Sequence, residues 1–490
     1  MHAAADSATA TSSDAETILI PHRSTADLER MTILLVAKRV LPFIFMCYAV
    51  CLIDRVNLSF AALTMNQNLG LSPYAYSLGA SIFFVGYFVF EVPSNLALEK
   101  FGARVWITRI MISWGIVSAC MAFISGETSF LILRFLLGLA EAGFFPGMIH
   151  YLTCWFPSAY RARVIAGFML AIPVTGVIGG PLATALMQLD GTFGLAGWQW
   201  MFLLEGIPSV LVGCLVPFCI ADRPESAPWL LEHQRAWLIE VLKCEREAVE
   251  SLHRQTTIWR VMMNPRVLAL CLVYLGMCTV TWGFVYFLPQ VISGFGLSTL
   301  QTGFVSAIPD VFGTLGMLVL GHISDRQADR RCGVLATLSV CGMGLLGIGA
   351  FTDSGWALVA MALVSIGINA SRPMFWALPS TFLTGPAAAA AIAMINSIGN
   401  LGGILGPVLL GVVKSNTESF SGGFYFLSFW AFLSGTVVLV ALRPPSQPQT
   451  EPALAAQQAV DMESALVGVA ESGERQPDAD KHGGASCSGF

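Results

Sequence analysis

The chain has 490 residues, of which 55% are hydrophobic and only 12% are charged, and its formal net charge is −5. Soluble globular proteins contain about 25% charged residues, so this composition argues against a soluble protein and indicates membrane spans of about 20 residues each. The chain lacks a Gly-Lys dipeptide and a basic patch. These absences exclude a phosphate-binding loop of the ATPase type and argue against a nucleic-acid partner.

The two ends of the chain are polar. Residues 1–32 are rich in Ala, Ser, Thr and Asp and lack the pattern of a secretory signal. We expect segments 1–32 and 444–490 to be disordered cytoplasmic tails. The twelve cysteines are scattered without a CxxC pair, so we expect packing roles for them and neither a metal nor a cofactor.

Between the tails, apolar runs of spanning length recur twelve times. They cover 34–65, 75–98, 104–125, 129–155, 162–188, 198–221, 266–292, 300–322, 333–352, 356–379, 385–413 and 422–442. Backbone groups inside hydrocarbon must form hydrogen bonds within their own segment, so each run predicts a helix. We predict an all-α membrane protein with two six-helix bundles, at 33–222 and 266–443.

Lysine and arginine collect in alternate loops, and such loops face the cytoplasm. With an even number of spans, both termini are then cytoplasmic. The loop at 223–265 lies on the same side and contains apolar residues at helical spacing, including Trp229, Leu230, Trp237 and Leu238. This pattern fits a helix on the inner membrane surface, and it fits a solvated linker helix equally well.

An internal repeat links the two bundles. NLALEKFGAR at 95–104 aligns with GHISDRQADR at 321–330, an offset of 226, and GP at 180–181 matches GP at 406–407 at the same offset. The aligned charges are Glu99 with Asp325, Lys100 with Arg326, and Arg104 with Arg330. A constant offset across unlike motifs indicates a duplicated unit, and transporters built from repeats bind substrate at the repeat interface.

These features resemble the major facilitator superfamily over 34–442, and the aligned loop charges resemble its signature loop. The resemblance implies that Glu99, Lys100, Arg104, Asp325, Arg326 and Arg330 latch one state of the bundle. Five stretches are similar to the anion:cation symporter family: IDRVNLSFA at 53–61, GYFVFEVPSN at 86–95, RFLLGLAEAGFFPG at 134–147, YRAR at 160–163 and INSIGNLGGILGP at 395–407. That family implies transport of organic anions, usually with protons, and the superfamily fold implies a monomer. The chain length, short loops and arginines near the membrane ends predict a bacterial inner membrane.

Four charges lie inside predicted spans of the first half: Asp54, Arg55, Arg134 and Glu141. Each costs roughly 2.5 to 3.5 kcal/mol near the bilayer centre, so such residues usually line a bundle interior. We expect each arginine to pair with an acid. The repeat offset matches the four positions to uncharged residues, Val280, Thr281, Ala360 and Gly367, so we expect the ionic chemistry to be one-sided. A structural salt-bridge cluster is the alternative.

The resemblance assigns roles to several of these residues. It implies proton coupling by Asp54 and Glu141, anion binding by Arg55 and substrate contact by Tyr87. Asn396, Asn400, Trp376 and Arg134 are further candidates for substrate binding. The alternative is packing for Tyr87, Asn396, Asn400 and Trp376, and a structural salt bridge for Arg134. Asp310 departs from the family pattern, and either a further proton site or a partly cationic substrate would explain it.

Together these observations predict a proton symporter that imports a small organic anion, such as tartrate, an aromatic acid or a sugar acid. Its partners would be the anion, protons and the lipid bilayer, and no enzymatic activity is expected. Two alternatives remain open: proton-driven efflux of an amphipathic compound, and a substrate sensor that does not transport.

Overall fold

The computed structural model describes residues 25–253, 262–325, 329–351, 354–379 and 385–442. Its α-helices are α1 (Thr25–Leu69), α2 (Pro73–Phe101), α3 (Ala103–Cys120), α4 (Glu127–Glu141), α5 (Phe144–Thr153), α6 (Ser158–Met169), α7 (Ala171–Leu186), α8 (Gly197–Cys219), α9 (Glu232–His253), α10 (Pro265–Ser293), α11 (Thr299–Asp325), α12 (Arg330–Ala350), α13 (Trp356–Trp376), α14 (Gly385–Asn400), α15 (Gly402–Thr417) and α16 (Ser421–Ala441). Within these ranges, twelve helical segments are long and apolar enough to cross a bilayer, as predicted.

Local sequence explains where several helices begin. Ser72 and Asn264 accept hydrogen bonds from the backbone of the first turns of α2 and α10, and a proline follows each of them. Asp329 caps α12 in the same way. The Arg331 side chain also donates to Asp329 and lowers the pKa of its carboxyl group. These caps satisfy backbone donors that the helices leave open.

One predicted boundary changes. The first helix begins at Thr25, so residues 25–32, which were expected to belong to a disordered tail, are helical.

The loop at 223–265 contains α9, and apolar residues of this loop pack against other helices of the protein. Leu238 is fully buried, and the ring of Trp229 stacks on that of Trp155 at 5.4 Å. The predicted tail at 444–490 and most of 1–32 lie outside the described residues.

Charges hold α9 against the first bundle. Glu245 of α9 accepts from Arg161 at 2.8 Å and from the backbone nitrogen of Ser158, also at 2.8 Å. Ser158 begins α6, so the carboxylate satisfies open donors at a helix start. Glu245 therefore attaches α9 to the start of α6, and α9 also packs on α1 and on α14 of the second half.

Three spans are broken within the membrane region. The fourth consists of α4 and α5, separated at Gly143, whose φ is +82°. A Cβ at this position would lie 2.4 Å from Ser94 Oγ, so only glycine fits. The fifth span breaks between α6 and α7, and the eleventh between α14 and α15. Breaks at membrane depth are tolerated where they lie inside protein, and they commonly mark binding sites.

The repeat is visible in the helices. Pro73 begins α2 and Thr299 begins α11, 226 residues apart, and the same offset maps α7 onto residues 397–412, which overlap most of α15. In the first half α3 packs on α8 and α2 on α4; in the second half α13 packs on both α11 and α12. The halves contact each other where α2 packs on α15 and where α7 packs on α11. The two contacts are equivalent, because the offset of 226 relates α2 to α11 and α7 to α15.

We define the terminal side as the side where α1 begins and α16 ends, and the far side as its opposite. On the far side the two halves pack closely. Tyr76 Oη donates to the Tyr286 carbonyl at 2.9 Å, and Ser81 Oγ donates to the Ile404 carbonyl at 3.0 Å. A Cβ on Gly303 of α11 would lie 2.6 Å from the Gly180 carbonyl of α7. The far side is therefore closed in this structure.

Candidate functional site

A cavity of about 260 Å³ lies between the two halves. Helices α1, α2, α5, α6 and α7 line it from the first half, and α10, α11, α13 and α14 from the second. The predicted site residues that line it are Arg55, Tyr87, Asp310, Trp376, Asn396 and Asn400. The structure thus brings charged, amide and aromatic side chains from both repeats to one cavity.

Arg55 of α1 is surrounded by aromatic rings. Its guanidinium carbon lies 5.5 Å from the ring centroid of Tyr87 and 5.7 Å from that of Trp282. Phe83 lies at 5.6 Å. Cation–π contacts at such distances are worth about 0.5 to 2 kcal/mol each and hold the guanidinium group in place at the cavity wall.

Glu141 forms an ion pair with Arg55. The Glu141 side chain is only 1% exposed, against 16% for that of Arg55, and Glu141 does not line the cavity. It is the last residue of α4, next to the break at Gly143, and it also accepts from Cys51 Sγ at 3.1 Å. Glu141 therefore lies behind Arg55 and neutralises it from the protein side.

Asp54 lies away from the cavity. It is 1% exposed, and its Oδ1 accepts from Ser118 of α3 and from Asn57 Nδ2, the latter at 3.1 Å. Neighbouring residues on a helix point about 100° apart, so Asp54 and Arg55 cannot face the same way. The proton-coupling role predicted for Asp54 would have to act through the protein interior.

Arg134 also does not reach the cavity. It is 1% exposed, and it donates from Nε to the Gly79 carbonyl at 3.1 Å and from Nη2 to Tyr286 Oη at 3.4 Å, while its guanidinium covers the Phe83 ring. The expectation that each arginine pairs with an acid is therefore wrong for Arg134, whose partners are neutral oxygens. These contacts join α4 to α2 and α10.

The second half carries charge in the cavity, contrary to the one-sided expectation. Asp310 of α11 accepts from Ser365 Oγ at 3.2 Å. Arg372 of α13 also lines the cavity and donates to Asn369 Oδ1 at 3.4 Å. From the sequence alone, its position near the predicted cytoplasmic end of the run 356–379 favours a gate or an interfacial anchor, whereas the structure places it in the cavity wall.

Two further buried acids were missed. Glu91 of α2 is 5% exposed and accepts from Asn396 Nδ2 of α14 at 3.4 Å, so it bridges the two halves. Glu205 of α8 is 4% exposed, and among the described residues its carboxylate oxygens have no hydrogen bond of normal geometry, although the Asn57 side chain lies close to them. Its electrostatic neighbours are Asp54 and Asn57. An acid inside an apolar run was the available signal for both.

The remaining predicted contacts have the following positions. Tyr87 is 5% exposed and lies beside Arg55. Trp376 packs edge-on against Tyr274 at 4.9 Å, and both rings line the cavity. Asn400 ends α14 at the helix break, so Asn400 and Asn396 lie one turn apart on a discontinuous helix.

The predicted latch lies on the terminal side. Glu99, Lys100 and Arg104 make no ion pair with one another; instead the Arg104 backbone nitrogen donates to Asp222 Oδ1 at 2.8 Å. Asp222 thus binds the start of α3, a contact that the sequence analysis did not identify. The side chain of Asp325 and the whole of Arg326 lie outside the described residues, whereas Arg330 begins α12.

Comparisons with known proteins place the chain among transporters. The family model for the Major Facilitator Superfamily matches residues 44–407. The chain is 47% identical to a protein of Agrobacterium vitis named "Putative tartrate transporter", over 86% of this chain and 93% of that protein. It is 42% identical to a "Quinolone resistance transporter" of Acinetobacter baumannii, over 82% and 93%.

Among solved structures, a bacterial homologue of the human lysosomal transporter Spinster has the same fold, with a TM-score of 0.65 at 15% identity. The match covers 83% of this chain and 95% of that one.

Proposed function

The chain belongs to the major facilitator superfamily, and from that premise we propose that it imports a small organic anion together with protons. The observation that carries the proposal is the ion pair between Arg55, which lines the cavity, and Glu141, which lies behind it. A guanidinium group binds carboxylates well because its donors match both oxygens. In this pair, Glu141 supplies from the protein side the negative charge that a substrate carboxylate would supply from the cavity.

A proton on Glu141 would release Arg55. The neutral acid attracts the guanidinium far less, so a cation in a low-dielectric cavity is left without a counter-charge. An incoming carboxylate then neutralises it. Proton binding and anion binding each favour the other, and this reciprocity is the thermodynamic basis of symport.

The cavity supports a small substrate. Sites for drug-sized ligands usually measure about 300 to 1,000 Å³, whereas this cavity measures about 260 Å³. Together with the relative named for tartrate, the volume favours a hydroxy acid of a few carbons. The substrate carboxylate would bind at Arg55, with Tyr87, Trp376, Asn396 and Asn400 as further contacts.

Proton-driven efflux of an amphipathic compound is the second candidate. The aromatic rings around the cavity and the relative named for quinolone resistance favour it. The direction of coupling separates the two candidates. An acidic exterior drives inward accumulation under symport and expulsion of the compound under antiport.

The test is uptake of labelled L-tartrate into vesicles that contain the purified protein. With an acidic exterior we expect accumulation above the equilibrium level, and loss of that accumulation when an ionophore collapses the pH gradient. Accumulation that does not respond to the pH gradient would contradict proton symport.

The Glu141→Gln variant tests the ion pair. Glutamine cannot gain or release a proton, so we expect gradient-driven accumulation to fall to the level of empty vesicles, while exchange of internal for external tartrate continues. Glu127→Gln, at the exposed start of the same helix, is the matched control. Normal accumulation by Glu141→Gln would remove Glu141 from the mechanism.

A further inference from the structure

Two arginines line the cavity, and their surroundings differ. Arg55 of α1 has an acidic partner in contact, Glu141. Arg372 of α13 makes no ion pair within 4 Å of any described carboxylate; its hydrogen bond goes to the neutral Asn369. One cavity cation is therefore already neutralised, whereas the other is available to an anion without any prior step.

Arg372 belongs to a polar strip that α13 turns toward the cavity. Ser365, Asn369 and Arg372 follow one another at spacings of four and three, which place them on one face of the helix, and all three line the cavity. Asn369 Nδ2 donates to the Ser365 carbonyl at 3.0 Å, and its Oδ1 accepts from Arg372. Asn369 thus holds the guanidinium group beside the cavity and leaves donors of that group open.

Asp310 contributes the nearest negative charge on this wall. Its carboxylate accepts from Ser365, and it interacts electrostatically with Arg372 without forming an ion pair. A Cβ on Gly176 of α7 would lie 3.0 Å from Asp310 Oδ2, so the carboxylate reaches the first half where the bundles meet. Asp310 therefore offsets part of the Arg372 charge and leaves its donors open.

Resting on the proposed function, we propose that Arg372 binds a second acidic group of the substrate. The preferred substrates are small dicarboxylates that span the cavity, with one carboxylate on Arg55 and the other on Arg372. The two carboxylates enter under different conditions. The carboxylate at Arg372 binds directly, whereas the one at Arg55 must compete with Glu141 for the charge of that arginine.

The two arginines stand on different halves, so a dicarboxylate between them connects α1 with α13. A monocarboxylate can bind only one of the two arginines, and the other arginine then has no substrate carboxylate to neutralise it. A cavity that holds two separated cations therefore selects for two charges as well as for a suitable size.

The test compares two probes that differ by one carboxylate: L-tartrate, and 2,3-dihydroxybutanoate, in which a methyl group replaces one carboxylate. Binding to the purified full-length protein is measured by calorimetry at one fixed pH. We expect the wild-type protein to bind tartrate at least about tenfold more tightly, since 2,3-dihydroxybutanoate lacks one charged, hydrogen-bonded contact with an arginine.

The Arg372→Gln variant should lose that preference. Its tartrate affinity should fall about 10- to 100-fold, toward that of the monocarboxylate, while its affinity for 2,3-dihydroxybutanoate stays within about threefold. Arg109→Gln is the matched control, because Arg109 lies inside a span but does not line the cavity and instead covers the Trp106 ring at 4.8 Å. This control should keep the full preference for tartrate.

Arg372→Lys guards against a folding defect in the glutamine variant. Lysine keeps the charge but not the bidentate geometry, so it should retain part of the preference for tartrate. Equal losses for both probes in Arg372→Gln, or no loss for tartrate, would overturn the proposal, as would a wild-type protein without a preference. Failure of both probes to bind to any folded variant would instead contradict the proposed function itself.

Discussion

The two halves of this transporter share one helical repeat but carry charge in different ways. In the first half Arg55 and Glu141 are in contact, and Glu141 is shielded from the cavity. In the second half Arg372 and Asp310 both line the cavity and are not in contact as an ion pair. The repeat therefore conserves the scaffold and not the arrangement of its charges.

Under the proposed function, this difference corresponds to two ways of handling an anion. An arginine in a contact pair must be released from its acid before it can bind fully, so the pair suits a group that responds to protons. In the separated pair, Arg372 keeps donors open and can bind a carboxylate without a prior change. The surrounding residues reflect this division, with aromatic rings around Arg55 and small polar side chains around Arg372 and Asp310.

The largest expected effect comes from Arg55→Ala. The change removes the carboxylate donor and also leaves Glu141 buried without its cation, which costs roughly 3 to 5 kcal/mol when a buried pair is broken. Uptake of tartrate into vesicles should be abolished, and the thermal unfolding temperature should fall. Arg372→Ala should weaken uptake without a comparable fall, because no buried acid loses its contact partner. Similar unfolding temperatures for the two variants would remove the contrast between the halves.

A smaller change is expected for Asp310→Asn. Removal of this negative charge leaves Arg372 less compensated, so affinity for a dicarboxylate at neutral pH should rise by about threefold to tenfold. The affinity should also vary less with pH, because one titratable carboxyl is gone. Calorimetry with L-tartrate between pH 5.5 and 7.5 measures both effects. A fall in affinity would mean that Asp310 binds the substrate directly.

Glu205→Gln tests the interior of the first half. A buried carboxylate without hydrogen-bond partners is costly in its charged form, so the neutral amide should leave the free energy of unfolding unchanged or raise it by about 1 kcal/mol. Thermal unfolding at pH 7 provides the measurement, with Glu127→Gln as the exposed control. A clear loss of stability would show that the Glu205 carboxyl holds an essential partner.

The smallest effect is expected for Asp329→Ala at the start of α12. Loss of a helix cap costs about 0.5 to 2 kcal/mol, and the contact between Asp329 and Arg331 is lost as well. The unfolding temperature should fall slightly, while substrate binding stays unchanged because Asp329 does not line the cavity. Altered tartrate affinity would link this helix start to the site.

The sequence predicted the fold well, because long apolar runs leave a chain few options in a bilayer. Twelve runs predicted twelve spans, and the offset of 226 is repeated in the starts of α2 and α11. The helix start at Thr25 was missed because its first turns are polar. A helix that extends out of the membrane can begin with polar turns, and a search for apolar runs does not find those turns.

The cavity was predicted less completely. Arg55, Tyr87 and Asn400 were identified from motifs and do line it. Asp54 was grouped with Arg55 because the two are adjacent, although adjacent helical residues face different directions. Arg372 was interpreted as a gate or an interfacial anchor because it lies near the predicted cytoplasmic end of its span, and the repeat offset pointed to uncharged positions. The offset preserves backbone position without preserving side-chain chemistry.

The close glycine contacts of the far side also have a consequence for how the molecule moves. Gly303 has no room for a methyl group beside Gly180, so Gly303→Ala would act as a wedge between α11 and α7. Such a wedge penalises only the state in which these helices touch, and it shifts the population toward the opposite state by the energy of that clash. A single added carbon could thus hold the carrier open on the side that is sealed here, and a thiol introduced there would react faster with a water-soluble reagent.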